Sequence, residues 1–176
     1  MRQNQLPFEE LLLPHLDGAY NLARWLVGTD QDAQAVVREA YIQAWAAFGE
    51  FRGTDARAWL LTIVRNTAGA WNRVHSTHSR TIQFQEASNV VLSDKRPLEP
   101  SPEERKRELH QALSRLPFEF REILALREIE GWSYGQLASA LSLPRDTVIS
   151  RLSEARLRLR QEITGVQRWG SEGVRE

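Results

Sequence analysis

The chain has 176 residues, enough for one ordinary domain or two small ones with modest cores. It carries 23 basic and 23 acidic side chains and no cysteine, which excludes disulfides and thiolate metal sites. No apolar run approaches the roughly 18 residues that a membrane helix needs. The opening MRQNQLPFEELLLPHLDG sets acids on both sides of a very short apolar run, unlike a signal peptide, so a cytoplasmic protein without membrane insertion is expected.

Zero net charge at first argues against nucleic acid, because Lys and Arg drive phosphate binding by releasing counterions. The distribution argues otherwise. Residues 1–55 hold four Arg against eight acids, whereas Ala56–Gln85 hold four Arg, two His and no acid, and Arg145–Arg160 hold five Arg against two acids. An acidic first part is followed by a basic middle stretch and a basic segment near the end.

In chain order, a helix is predicted over His15–Val27, with Leu16, Ala19, Tyr20, Ala23 and Leu26 on one side and Gly28 as its left-handed cap. A second runs from about Asp32 to Phe48 on the stripe Ala33, Val36, Val37, Ala40, Tyr41, Ala44, Trp45 and Phe48. A third opens after Thr54 or Asp55, either a good N-cap, and carries Trp59, Leu60, Ile63, Val64, Thr67, Trp71 and Val74. These three make a first bundle. Periodicity then fades, and Pro97, Pro100 and Pro102 mark a linker over residues 81–100. A flexible chain of that length spans roughly 25 Å on average and under about 70 Å at full stretch, so the two halves can stand apart or fold against each other.

Helix restarts at Ser101-Pro102-Glu103-Glu104, a capping box with Pro at the first helical position. Leu109, Ala112, Leu113 and Leu116 form its stripe, Pro117 interrupts it, and Phe120, Ile123 and Leu124 resume it as far as Gly131. Ser133 and Gln136 supply another capping box, with Leu137, Ala138 and Leu141 facing inward. After the turn Ser142-Leu143-Pro144, Val148, Leu152, Ala155 and Leu159 give the inner face of a last helix. The fold class is therefore all-α: two small helical bundles joined by a flexible linker, the second containing a helix-turn-helix. The domains are read as 1–80 and 101–165, with a tail over 166–176.

The outward side of the last helix offers Arg145, Asp146, Ile149, Ser150, Ser153, Glu154 and a rail of Arg156, Arg158 and Arg160. Arg and Ser suit phosphates and base edges, and Glu154 can reach Arg158 one turn on. In the middle stretch, Arg57, Arg65, Arg73 and Arg80 accompany Trp59 and Trp71 without an opposing acid, a combination that suits unstacked single-stranded bases. Trp59 is expected in the core; Trp71 could serve either purpose. His75 and His78 have no third metal ligand nearby. No nucleophile, base and acid fall at a telling spacing, and no phosphate loop follows a strand, so a non-enzyme without cofactor or metal is expected.

The segments DQDAQAVVREAYIQAWAAFGEFRG, ARAWLLTIVRNTA and LPFEFREILALREIEGWSYGQLASALSLPRDTVISRLSEARLRLR, in that order, resemble the extracytoplasmic-function sigma factors of bacterial RNA polymerase. The likeness covers about Phe8 to Ile163, the first bundle resembling sigma region 2 and the second sigma region 4. It implies a protein that binds core RNA polymerase, directs it to promoter DNA, assists opening and is held by an anti-sigma factor. By matching position, Asp32, Gln34, Arg38 and Glu39 would dock on the polymerase clamp. Phe51 and Asn66 would hold a flipped minus-ten base, with Arg65 and Arg73 on phosphates. Arg145, Thr147, Ile149, Ser150, Arg151, Ser153 and Glu154 fall where the minus-thirty-five duplex is read. The chain departs from the family pattern at Ala35, where an acid is usual, at Arg38, where glutamine is common, and at Gly69, Ile149 and Glu154, where basic residues are frequent. Two other readings compete: a sigma-like mimic that binds an anti-sigma protein without engaging promoters, and an ordinary helix-turn-helix regulator that binds duplex DNA alone.

Overall fold

Thr29 shows how local chemistry sets the first bundle, because its hydroxyl accepts from the Asp32 N–H at 3.1 Å and so starts a helix two residues before the expected one. The computed structural model describes the backbone of residues 7–82 and 101–171 and the side chains of 7–75 and 101–164. Helix α1 (Phe8–Leu12) passes through one tight turn into α2 (Leu16–Val27), which ends at Gly28 with φ 90°. Helix α3 (Asp30–Ala47) follows, then α4 (Ala56–Ile82), where Asp55 accepts from the Ala58 N–H at 2.9 Å. Leu22, Leu26, Val36, Ala40, Leu60 and Val64 are fully buried between α2, α3 and α4. Each large aliphatic side chain among them contributes about 1.5–3 kcal/mol by leaving water. Leu12 closes one end, its carbonyl accepting from the Tyr41 hydroxyl at 2.9 Å.

The second bundle begins with the expected capping box: Ser101 accepts from the Glu104 N–H at 3.2 Å and Glu104 accepts from the Ser101 N–H at 2.6 Å, opening α5 (Pro102–Arg115). Helix α6 (Phe118–Leu124) runs on as a π turn over Ala125–Ile129, and the chain reverses at Gly131 with φ 71°. Arg127 ties that π turn to the residues after Gly131, donating to the Trp132 carbonyl at 2.6 Å and lying 4.7 Å over the Tyr134 ring. Ser133 caps α7 (Tyr134–Leu141), and Ser142 takes the left-handed conformation, φ 53°, before α8 (Arg145–Ser171). Ile123, Leu126, Trp132, Leu137, Val148 and Leu152 fill this core.

Among the described residues all regular structure is helical. The expected linker lies outside them except for residues 81 and 82, which end α4, and α8 continues through the first residues of the expected tail. The halves do not stand apart: α2 packs on α5, α6 and the π turn, and α4 packs on α6. Trp59, expected in the core, is only half-buried.

Candidate functional site

Three surfaces bring together the residues singled out from the sequence. On α3, Gln34, Arg38 and Glu39 are exposed, while Asp32 is half-buried and occupied at the cap, its carboxylate accepting from the Thr29 hydroxyl at 2.8 Å. Gln34 and Arg38 rim an open groove of about 450 Å³ whose remaining lining is Leu16, Asp17, Tyr20, Val37 and Tyr41. One and two turns beyond Arg38 stand Ile42 and Trp45, 58% and 65% exposed. Apolar side chains left in water beside a groove mark a surface for another protein. The α2 side of this groove and the Ile42–Trp45 stripe were missed in the sequence, where Trp45 fitted the inward period; Leu16 at a helix start was the available signal. In the structure Trp45 leans edge-on against Phe8, centroids 5.0 Å apart, rather than entering the core.

The second surface runs along α4. Phe51 lies against Trp59 with centroids 4.7 Å apart, and Asn66 is exposed two turns further along the same helix face. Gly53 lets the Phe51 ring fold back, since a Cβ there would stand 2.9 Å from it. Arg65 and Arg73 are not free to the same extent. Arg65 donates to Glu122 at 2.8 Å, to the Ala140 carbonyl at 3.2 Å and to the Asn66 side chain at 2.8 Å. Arg57 pairs with Glu130, whose side chain is nearly buried; burial pushes its carboxyl above the usual range, and Arg57 opposes that. Arg73 is exposed, with one guanidinium nitrogen over Gly69. Trp71 is half-buried, stacked on His75 at 4.1 Å, and its indole N–H has no partner among the described residues. The partners in the second bundle were not foreseen, because Glu122 reads as an ordinary helix-surface acid. Neighbouring Arg121 is also buried, which pulls its pKa down to about 10.

The third surface is the helix-turn-helix. Arg145, Asp146, Ile149, Ser150, Ser153 and Glu154 are exposed on α8, and Thr147 is half-buried. Arg151 turns instead toward α6, within 3.8 Å of Glu119. Glu154 is neutralised as its spacing suggested, accepting twice from Arg158 at 2.6 and 3.0 Å, and Arg158 lies 4.5 Å over Phe120. Arg156 is held by Glu128 at 2.6 Å. The Arg rail is thus partly folded back onto the domain, and Arg145 and Arg160 are the cations of this face with no ionic partner among the described residues.

Two bundles of this shape, one with an open groove and a cationic helix and the other with a helix-turn-helix, agree with known proteins. Residues 11–75 match the family model described as Sigma-70 region 2, and residues 106–159 match Sigma-70, region 4. The RNA polymerase sigma-H factor of Pseudomonas aeruginosa is 32% identical over 164 residues, covering 88% of this chain and 85% of its own length. This chain belongs to the extracytoplasmic-function sigma factors. The ECF RNA polymerase sigma-E factor of Escherichia coli is 31% identical over 134 residues, covering 71% of this chain and 70% of the relative. Among solved structures, the sigma factor RpoE of Bartonella quintana, in complex with the anti-sigma factor NepR, aligns with a TM-score of 0.64 at 28% identity, over 90% of this chain and 97% of that one. CnrH, in complex with the cytosolic domain of CnrY, shares the fold at 24% identity and a TM-score of 0.62, over 92% of this chain and 90% of its own. As a sigma factor the protein binds core RNA polymerase and directs it to promoters. No helix among the described residues is long and apolar enough to cross a membrane.

Proposed function

We propose that this sigma factor works as a non-catalytic initiation subunit in the cytoplasm, docking on core polymerase through α3 and reading a two-part promoter with its two bundles. The exposed stripe of Arg38, Ile42 and Trp45 beside the α2–α3 groove carries the reading, since a regulator that bound duplex DNA alone would leave it without a purpose. Gln34, Arg38 and Glu39 would supply polar contacts around that apolar centre, where charge complementarity sets register and approach rate. Asp32 would act mainly by fixing the start of α3.

At the promoter, Phe51 and Asn66 would hold an extruded minus-ten base by stacking and hydrogen bonding. Extrusion costs a few kcal/mol, which such a pocket must offset. Arg65 and Arg73 would take the flanking phosphates. On α8, Arg145, Thr147, Ser150 and Ser153 would meet the minus-thirty-five duplex, with Ile149 against a thymine methyl. Glu154, held by Arg158, repels phosphate less than a free carboxylate would. Arg151 would act by bracing α8 on α6. By analogy with the anti-sigma factor NepR bound to the similar RpoE structure, an anti-sigma protein would hold this chain as well.

The residue assignment is tested by Asn66→Ala. Expected is a loss of transcription from closed duplex, with core polymerase binding retained and activity largely restored on a template already unpaired at the minus-ten element. Equal loss on both templates would remove the base-pocket role.

A further inference from the structure

Helix α1 has five residues and no capping side chain at its start, so it is too short to stand by itself and is held by packing. Its far end is pinned by Leu12, which is fully buried and whose carbonyl accepts from the Tyr41 hydroxyl. Its near end is held by the Phe8 ring. Phe8 meets three aromatic side chains at the end of α3 edge-on: Trp45 at 5.0 Å, Phe48 at 5.2 Å and Tyr41 at 6.3 Å between centroids, with interplanar angles of 79°, 83° and 82°. Ring quadrupoles favour this arrangement, and it orients both partners as well as burying them. Phe48 in turn faces Phe51. Their rings lie 13° from parallel with centroids 6.5 Å apart, and the Phe51 N–H donates to the Phe48 carbonyl at 3.1 Å. Trp59 closes the other side of Phe51. Helix α1 also packs on α4, which carries Asn66.

We propose that Phe8 is a positioning residue for promoter opening: by orienting Phe48, it aims the Phe51 ring at the extruded minus-ten base. This rests on the assignment of Phe51 to that base. A stacking pocket works only when its ring is held near the productive geometry before the base arrives. Trp59 and Phe48 are the two walls that hold Phe51, and Phe8 is what braces the second wall. An aliphatic side chain at position 8 would fill the same space but present no ring edge, so Phe48 would keep its burial and lose its orientation. An edge-on aromatic pair shifts an equilibrium by about two- to tenfold beyond the area it buries, which bounds the expected effect. Phe8 also touches Trp45 on the docking stripe, so polymerase binding has to be read separately from opening.

The test compares full-length Phe8→Leu, Phe48→Leu, Phe51→Ala and the double variant Phe8→Leu/Phe51→Ala, each below its own melting temperature. Run-off transcription is measured with saturating core polymerase on duplex and on template already unpaired at the minus-ten element, beside co-elution with core polymerase. Expected is a two- to tenfold loss on duplex for Phe8→Leu, largely restored on the unpaired template, with co-elution retained. Phe48→Leu should reproduce this loss, because it cuts the same brace from the other side. In the Phe51→Ala background Phe8→Leu should cost nothing further, since no ring is left to aim. Unchanged duplex transcription in Phe8→Leu overturns the proposal. So do losses that multiply in the double variant, or equal loss on both templates in Phe8→Leu and Phe48→Leu alike, which mark a general packing role. In these cases a Phe51→Ala variant that still fails on duplex leaves the base pocket standing. Full duplex transcription by Phe51→Ala shows instead that the base-pocket assignment failed, and the positioning role falls with it.

Discussion

Gly53→Ala tests the promoter reading through one methyl group. The added Cβ would stand 2.9 Å from Phe51 Cε2 and 3.3 Å from Cζ, nearer than carbon atoms approach, so the ring must swing by roughly half an ångström to restore van der Waals contact. It has little freedom to do so against Trp59 at 4.7 Å and Phe48 at 6.5 Å. Strain of about 1 kcal/mol is reasonable for a half-exposed ring, at the low end of overpacking costs. Replacing a loop glycine gains about 0.4–1 kcal/mol from the unfolded state. The two nearly cancel, and the melting temperature should move by less than about 3 °C. Function should not cancel. Stacking of a base on an aromatic ring is worth about 1–3 kcal/mol, and losing half of that lowers opening by about three- to tenfold. Run-off transcription on duplex and on pre-melted template, beside a thermal melt, measures both. Unchanged transcription on duplex would refute the placement of the base on Phe51. A melt lowered by more than about 5 °C would refute the cancellation.

Ile42→Glu, on a side chain 58% exposed, should leave stability within about 0.5 kcal/mol while weakening association with core polymerase at least tenfold in a sedimentation or co-elution assay. Glu154→Gln should tighten duplex binding a few-fold and steepen its salt dependence, as read by anisotropy at two salt concentrations, because an anion is removed beside phosphate and Arg158 is released. His110 sits below its usual pKa, first through burial, then through Arg24 and Lys106, with Asp30 opposing. The fold therefore holds the neutral ring: its contribution is whole above the ordinary value of 6.5 and is lost as pH falls through the lowered pKa. Glu130 acts with the opposite sign and nearer the carboxylate range, its raised pKa favouring the packed form as pH falls. The melting temperature should accordingly hold above pH 6.5 and decline as pH falls below it, and His110→Phe should remove that decline.

Much of the fold was legible because short-range chemistry repeats in the sequence. The capping boxes at Ser101 and Ser133, the glycines at 28 and 131 and the turn Ser142-Leu143-Pro144 lie where the helices start and stop. Thr29 was overlooked because Asp32 also makes a good helix start. Here Asp32 sits inside the first turn and is capped by the threonine. Periodicity placed Trp45 and Trp59 inward, but it counts faces and not neighbours. Among the described residues Trp45 stays 65% exposed beside Phe8, and Trp59 only borders the core. The site was legible one bundle at a time. Contacts between bundles lie 57 and 73 residues apart, as for Arg65–Glu122 and Arg57–Glu130, and no local pattern announces them. Gly69 was visible only as a departure, and in the structure the Phe118 ring of the second bundle lies 3.5 Å from where its Cβ would stand.

The central claim, that this protein gives core polymerase its promoter, is tested most directly by incubating the purified chain with bacterial core RNA polymerase and assaying co-elution and run-off transcription from a genomic fragment library. The account predicts a stable complex and discrete transcripts whose start sites share two upstream elements. Co-elution without transcripts, or no co-elution, would contradict it and favour a sigma-like protein that engages other proteins alone.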